Sequence, residues 1–202
     1  MVEEIREKNK EKMISSYEKH NYADVFYAII TGWRPQLCVE LGVLHGYSTI
    51  AIASGLKRNK AGHLEAYDLF DDYEFKHGQQ DEVQKKINEA GVESYITLNK
   101  ADAYEIHNRY EDNSVHLIHI DISNTGETVR RMMELWDKKM IVGGIILFEG
   151  GTEERDKVSW MTDYKKEPMK TEIEHNPIIE AKYIFGTYLK YPGLTMLLKK
   201  RE

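Results

Sequence analysis

From Gln36 onward the chain alternates short, nearly continuous apolar runs with stretches whose apolar residues recur every three or four positions. The runs read as strands and the stretches as amphipathic helices. The pattern predicts strands over residues 37–41, 63–67 (ended by Asp68), 95–98, 115–120 and 140–148. Between them it predicts helices over 48–56, 81–90 (stopped by Gly91) and 127–138. Short apolar strands joined by helices of about ten residues imply βαβ units and a parallel sheet covered on both faces. The last two β-type runs, 183–191 and 194–199, are separated only by Pro192-Gly193, a turn tight enough to join antiparallel strands alone. The expected architecture is therefore an α/β domain with a seven-stranded, mostly parallel sheet, helices on both faces and a C-terminal antiparallel hairpin. Upstream, residues 3–18 read as a charged, solvated helix. Residues 24–31 read as a second helix, with Asp24 as N-cap and Gly32 as its stop, before Pro35 breaks the chain.

Composition narrows the classes. A chain of 202 residues, 41% hydrophobic and 31% charged, suits a single globular domain. The longest largely apolar run, 140–148, is far short of the roughly 20 residues that span a bilayer. The charged N-terminus lacks the apolar core of a secretory signal, and the single cysteine, Cys38, fits a reducing compartment. Thirty-four acidic against 28 basic side chains give a net charge of −6, which disfavours a nucleic-acid partner. These features predict a cytoplasmic protein acting on a small molecule.

The chemistry concentrates where the first strand enters the first long helix, in Val39-Glu40-Leu41-Gly42-Val43-Leu44-His45-Gly46-Tyr47-Ser48-Thr49. Gly42 and Gly46 permit close backbone approach to a ligand, and the helix that follows offers free N–H groups. Asp68, ending the second strand, is placed to accept hydrogen bonds from ribose hydroxyls. A nicotinamide-binding protein fits less well, because the Gly-x-Gly-x-x-Gly spacing is missing and the sheet closes with a hairpin. Glu40 lies inside a strand, so its carboxylate needs a partner such as a ligand ammonium or a pair of backbone N–H groups.

These residues resemble the class I S-adenosylmethionine (SAM)-dependent methyltransferases, a Rossmann-like family, and most closely a small-molecule O-methyltransferase branch. The resemblance rests on Glu40-Leu41-Gly42, Gly46-Tyr47-Ser48, Asp68, Ala101-Asp102-Ala103, Ile118-His119-Ile120-Asp121 and Val142-Gly143-Gly144, in the family's order over residues 36–199. It implies that Glu40, Gly42, Gly46, Tyr47 and Ser48 surround the methionine part of SAM. By the same resemblance Asp68 holds the ribose, Asp102 lies near the adenine amine and Asp121 stands beside the reactive methyl group. It implies methyl transfer to a small-molecule acceptor, most naturally O-methylation in secondary-metabolite or sugar modification. Another SAM-using or hydroxylase-like enzyme on the same scaffold is the alternative, as is a non-catalytic protein that keeps the cofactor fold.

A hydroxyl acceptor must lose a proton, which calls for a base or a divalent metal. Asp121, His119 and His45 are the candidate catalytic groups. Asp121 and Glu149, at adjacent strand ends, are candidate ligands for Mg2+, since metal-dependent relatives carry acidic or amide residues there. The chain departs from the branch in reading Ile122-Ser123-Asn124-Thr125 after Asp121 and Gly150-Gly151 after Glu149. The expected organisation is N-terminal helices (1–35), a cofactor-binding core (36–149), a substrate or lid segment (150–180) carrying Arg155, Trp160, Tyr164 and Pro168, and the hairpin (181–200). The aromatic and acidic stretch 70–75 is a second substrate-facing candidate. The N-terminal helices would cover the site or form a homodimer face.

Overall fold

Four alternating units supply most of the sheet. In a computed structural model, which describes residues 15–74 and 77–201, the strands are β1 (Leu37–Leu41), β2 (His63–Asp68), β3 (Ile96–Lys100), β4 (Val115–Ile120), β5 (Met140–Glu149), β6 (Tyr183–Tyr188) and β7 (Leu194–Lys199). They form one sheet in the order β3-β2-β1-β4-β5-β7-β6. The first five strands pair in parallel, and β7 runs antiparallel to both β5 and β6. The order reverses between β1 and β4, so the carboxyl ends of these two strands open a crevice.

Alternation of side chains sorts the core into two faces. Cys38, Leu64 and Leu117 meet α2 (Ala23–Trp33) and α3 (Tyr47–Asn59) through Phe26, Ile30, Ile52 and Leu56. Val39, Leu41, Ile118 and Ile146 face the other way, toward Met132, Met133 and Trp136 of α5 (Gly126–Trp136). Three shorter connections matter for the site. The first is α1 (Ser16–Lys19), and α4 (Gln80–Glu89) follows β2. The third, between β5 and β6, is a train of four short helices: α6 (Glu153–Asp156), α7 (Ser159–Asp163), α8 (Met169–His175) and α9 (Pro177–Lys182). Among the described residues no helix is long and apolar enough to cross a membrane.

Several boundaries differ from the sequence expectation. Asp24 is not the cap of α2. The helix begins at Ala23 behind Tyr22, runs through Gly32 and stops at Arg34 in the left-handed region, φ 55°. Gly32 survives inside the helix because the last turn is tethered, the Trp33 indole Nε1 donating to the Gly143 carbonyl at 3.0 Å. Gly55 of α3 is the glycine that α2 needs, since a Cβ there would lie 2.6 Å from Ile30 Cβ. Tyr95 belongs to a single 3-10 turn ahead of β3, and the helix expected over 127–138 ends at Trp136 in another such turn. β6 ends at Tyr188, short of the expected Tyr191. Most of the charged helix expected over 3–18 lies outside the described residues.

Candidate active site

The glycine loop is wedged between the ends of β2 and β4. The Gly42 N–H donates to the Tyr67 carbonyl at 2.9 Å, and the Asp121 N–H donates to the Leu41 carbonyl at 2.8 Å. Gly42 has φ +91°, and a Cβ would sit 2.2 Å from the Asp121 carbonyl oxygen, so no other residue fits this crossing. Asp68 then fixes the loop. Its Oδ2 accepts from the Val43 N–H at 2.7 Å and the Leu44 N–H at 3.0 Å, and Oδ1 accepts from the Phe70 N–H at 2.8 Å. The loop amides are thus engaged by Asp68, and three of the carboxylate's roughly four acceptor positions are filled.

A cavity of about 810 Å³ opens beside this loop. Gly42, Leu44, Tyr67, Asp68, Leu69, Tyr73 and Ala101–Tyr104 line one end; Asp121–Asn124, Glu149, Arg155, Trp160, Tyr191, Ser15 and Ser16 line the other. Asp102 turns its own backbone, Oδ1 accepting from the Tyr104 N–H at 2.9 Å, and among the described residues its second oxygen carries no hydrogen bond. The Tyr104 ring is held by the Arg131 guanidinium, 3.9 Å from its centroid.

Asp121 and Glu149 form the charged floor of the second end. Glu149 is 4% exposed; Ser16 Oγ donates to its Oε2 at 3.1 Å and Arg155 Nε donates to its Oε1 at 3.4 Å. Loss of water raises the Asp121 carboxyl well above the usual carboxylate range. The negative charge of Glu149 and a hydrogen bond with it raise Asp121 further, while Arg155 pulls it partly back. The Mg2+ expectation meets an ill-suited donor set. Among the described residues no group of three His, Cys, Asp or Glu side chains converges, and one of the two carboxylates already faces a guanidinium.

Six other expected site residues do not reach the cavity. Glu40 is wholly buried, and its partner is neither a ligand ammonium nor a backbone pair but His119, whose Nδ1 lies 3.0 Å from Oε1. Tyr17 OH lies 3.2 Å from the other ring nitrogen of His119. With the proton on Nδ1 donated to Glu40, the tautomer this network assigns, Nε2 accepts from Tyr17. Both nitrogens are thereby engaged in the interior, which removes the histidine from a base role. Gly46 caps α3 at φ +82°, with Val83 rather than a ligand at the position of a missing Cβ. Tyr47 packs toward α2, its hydroxyl accepting the Ala23 N–H at 3.1 Å, and Ser48 is buried in α3. The sixth, His45, is also outside the lining, its ring beside Gly78 and its carbonyl accepting from Lys86 Nζ at 3.1 Å.

A cavity that joins a glycine loop and two strand-end aspartates to a carboxyl pair is now matched by sequence: the methyltransferase domain family aligns with residues 39–149, more than half of the chain. The chain belongs to the methyltransferase-domain family. No curated protein sequence matches it. Solved structures similar to this methyltransferase include the O-methyltransferase TomG of Streptomyces achromogenes, involved in tomaymycin synthesis and solved with SAM. It has TM-score 0.69 and 14% identity, with 97% of this chain and 86% of TomG covered. An O-methyltransferase of Bacillus cereus bound to S-adenosylhomocysteine (SAH) has TM-score 0.69 and 16% identity, covering 98% and 88% of the two chains. The SAH-bound methyltransferase PaMTH1 of Podospora anserina has TM-score 0.69 and 15% identity, covering 99% and 87%. At these identities the likeness concerns the fold.

Sequence reasoning missed several lining groups of the methyltransferase. Ser15 and Ser16 come from the start of α1, and Tyr104, Asn124 and Tyr191 from loops without a spacing signal. Only the polar turn Ser123-Asn124 after Asp121 hinted at its place. Tyr164, expected in the lid, is 74% exposed and outside the site, while Phe70 is buried in the core. Asp71 and Asp72 pair with Lys100 on the surface, and Tyr73 is the residue of the stretch 70–75 that lines the cavity among those described.

Proposed function

We propose that this methyltransferase transfers the methyl group of SAM to an oxygen of a small-molecule acceptor. The observation that carries the reading is a single chamber whose one end is backbone-built around Gly42, Asp68 and Asp102 and whose other end presents the buried carboxyl groups of Asp121 and Glu149. The glycine at position 42 gives the close approach a flat nucleoside sulfonium needs, Asp68 keeps one acceptor position for a ribose hydroxyl, and the open oxygen of Asp102 suits an adenine amine. When bound, SAM supplies a methyl group already activated by its positive sulfur. The chain has to bind, orient, exclude water and remove one proton.

Asp121 is the group placed to take that proton. A carboxylate held above its usual range is a stronger base once ionised, and Asp121 lines the cavity with its backbone carbonyl against Gly42. The acceptor oxygen forms its bond to carbon as the sulfur–carbon bond breaks, the hydroxyl proton passes to the Asp121–Glu149 pair, and SAH remains. Trp160, Tyr191 and Asn124 provide the apolar and polar contacts that would seat the acceptor. The O-methyltransferase names of TomG and the Bacillus cereus protein support an oxygen acceptor over nitrogen.

Thermal unfolding with SAM, SAH and NAD tests this. At a hundredfold excess over the dissociation constant, a ligand specific for the native state adds about 2.7 kcal/mol. That is roughly 5–10 °C for a chain of this length. SAM and SAH are expected to give such shifts and NAD none. No shift with either sulfur nucleoside at millimolar concentration overturns the assignment.

A further inference from the structure

Glu149 is buried at the end of the longest strand, and its cationic partner is Arg155, whose side chain is 13% exposed. The backbone between them is built to bring the arginine back. Gly150 and Gly151 have φ +106° and +86°. A Cβ on Gly150 would lie 3.0 Å from Met169 Sδ and 3.4 Å from Arg155 Cγ, and one on Gly151 would lie 2.1 Å from Thr195 Oγ1. Thr152 caps α6, its Oγ1 accepting the Arg155 N–H at 3.2 Å. At the end of the same turn, Asp156 accepts from the Met169 and Lys170 N–H groups, each at 3.0 Å, which pins α6 to α8. Trp160 lies over the guanidinium with its ring centroid 5.8 Å from Cζ.

The guanidinium is therefore held on three sides: by its own capped turn, by Glu149 and by Trp160. Only Nε of its five N–H donors has a hydrogen-bond partner among the described residues. The segment after Glu149 adds no further carboxylate, consisting of glycines packed against Met169 and Thr195. A divalent ion approaching Glu149 would meet a fixed positive charge. The chain has a cation here already.

We propose that Arg155 is a positioning residue standing in for a divalent cation: it neutralises Glu149, keeps it turned into the cavity beside Asp121, and makes cofactor binding and methyl transfer independent of added metal. This rests on the methyl-transfer reading. The four open N–H donors also suit an acceptor whose oxygen gains negative charge as its proton leaves.

The test uses the full chain with Mn2+ as a paramagnetic probe, alongside calorimetric titration of SAH in Mg2+ and in EDTA. The wild type is expected to leave Mn2+ free, with SAH affinity the same in both buffers within about twofold. Arg155→Ala uncovers the two carboxylates and is expected to gain both Mn2+ binding and a metal-dependent rise in melting temperature. Arg155→Lys, which keeps the charge, gains neither. A merely structural arginine would not create a response to metal when removed. Stoichiometric Mn2+ binding by the wild type that Glu149→Gln abolishes overturns the proposal. So does an Arg155→Ala protein that folds and stays indifferent to Mn2+. Should Arg155→Ala fail to fold, the wild-type and Arg155→Lys titrations decide alone. SAH that binds in neither buffer counts against methyl transfer itself, while the Mn2+ result still judges Arg155.

Discussion

The two ends of the cavity are made in different ways. The end formed by Gly42, Leu44, Asp68 and Asp102 is set by backbone: a left-handed glycine under the Asp121 carbonyl, and two loop amides held by one carboxylate. The end formed by Asp121, Glu149, Arg155 and Trp160 is set by side chains, with Ser16 reaching across from a helix 133 positions earlier. The first end falls wholly within the stretch that matches the methyltransferase domain family, whereas Ser16, Arg155, Trp160 and Tyr191 fall outside it. On the proposed reading, the backbone-built end would hold the common cofactor, and the side chains on connecting segments would meet an acceptor particular to this enzyme.

If that division is right, the largest effect should follow a change to the backbone cradle. Gly42→Ala puts a methyl group where the Asp121 carbonyl stands and strains a φ of +91°. Calorimetry should show SAH affinity lowered by at least about a hundredfold, or about 2.7 kcal/mol, or else a chain that no longer folds. A Gly42→Ala protein with ordinary affinity would break the comparison.

Outside the cavity lining, His119 is engaged by Glu40 and Tyr17 in the interior. His119→Ala strands a wholly buried Glu40 and should cost about 3–5 kcal/mol. Melting should drop by roughly 10 °C or more. Protein that does fold at low temperature should retain its methyl-transfer rate. Loss of turnover at unchanged stability would return His119 to the catalytic list.

Asp121 gives a smaller effect with a defined sign. Its folded carboxyl is raised above the unfolded value near 3.9, so the native chain binds more protons than the unfolded one between those two values. The stability this group contributes is full below the unfolded value and lost as pH rises through the folded one. Asp121→Asn should therefore match the wild type near pH 3–4 and melt higher toward neutrality. The gain is about 1.4 kcal/mol for each unit of displacement, on the order of 3–6 °C. A melting difference that does not change with pH would contradict a raised Asp121 carboxyl.

The smallest effect separates the two ends. Trp160→Ala should change SAH affinity by less than about twofold while raising the acceptor KM. A large loss of SAH binding would place Trp160 at the cofactor end.

The sheet was readable in the sequence because its strands are short, apolar and bounded by glycine or aspartate, and because Pro192-Gly193 leaves only one way to join the last two. Asp68, Asp102 and Asp121 line the cavity because residues at or just after the end of a parallel strand lie at the crevice whatever their rotamer. Reading failed where a side chain had a choice of neighbour. Glu40 and His119 share one sheet face, yet only β1–β4 register shows that they find each other rather than a ligand. Tyr47 follows the glycine loop but turns to α2, and Arg155 returns to Glu149 only because two glycines and a threonine cap fold the chain back. Such outcomes depend on tertiary packing that no local spacing encodes.

A crystal structure of the full chain with SAH tests the central claim most directly. The account predicts SAH in this cavity, with its ribose at Asp68, its adenine beside Asp102 and Ala103, and its sulfur facing the Asp121–Glu149–Arg155 end. SAH bound elsewhere, or with its sulfur turned away from that carboxyl pair, would contradict it.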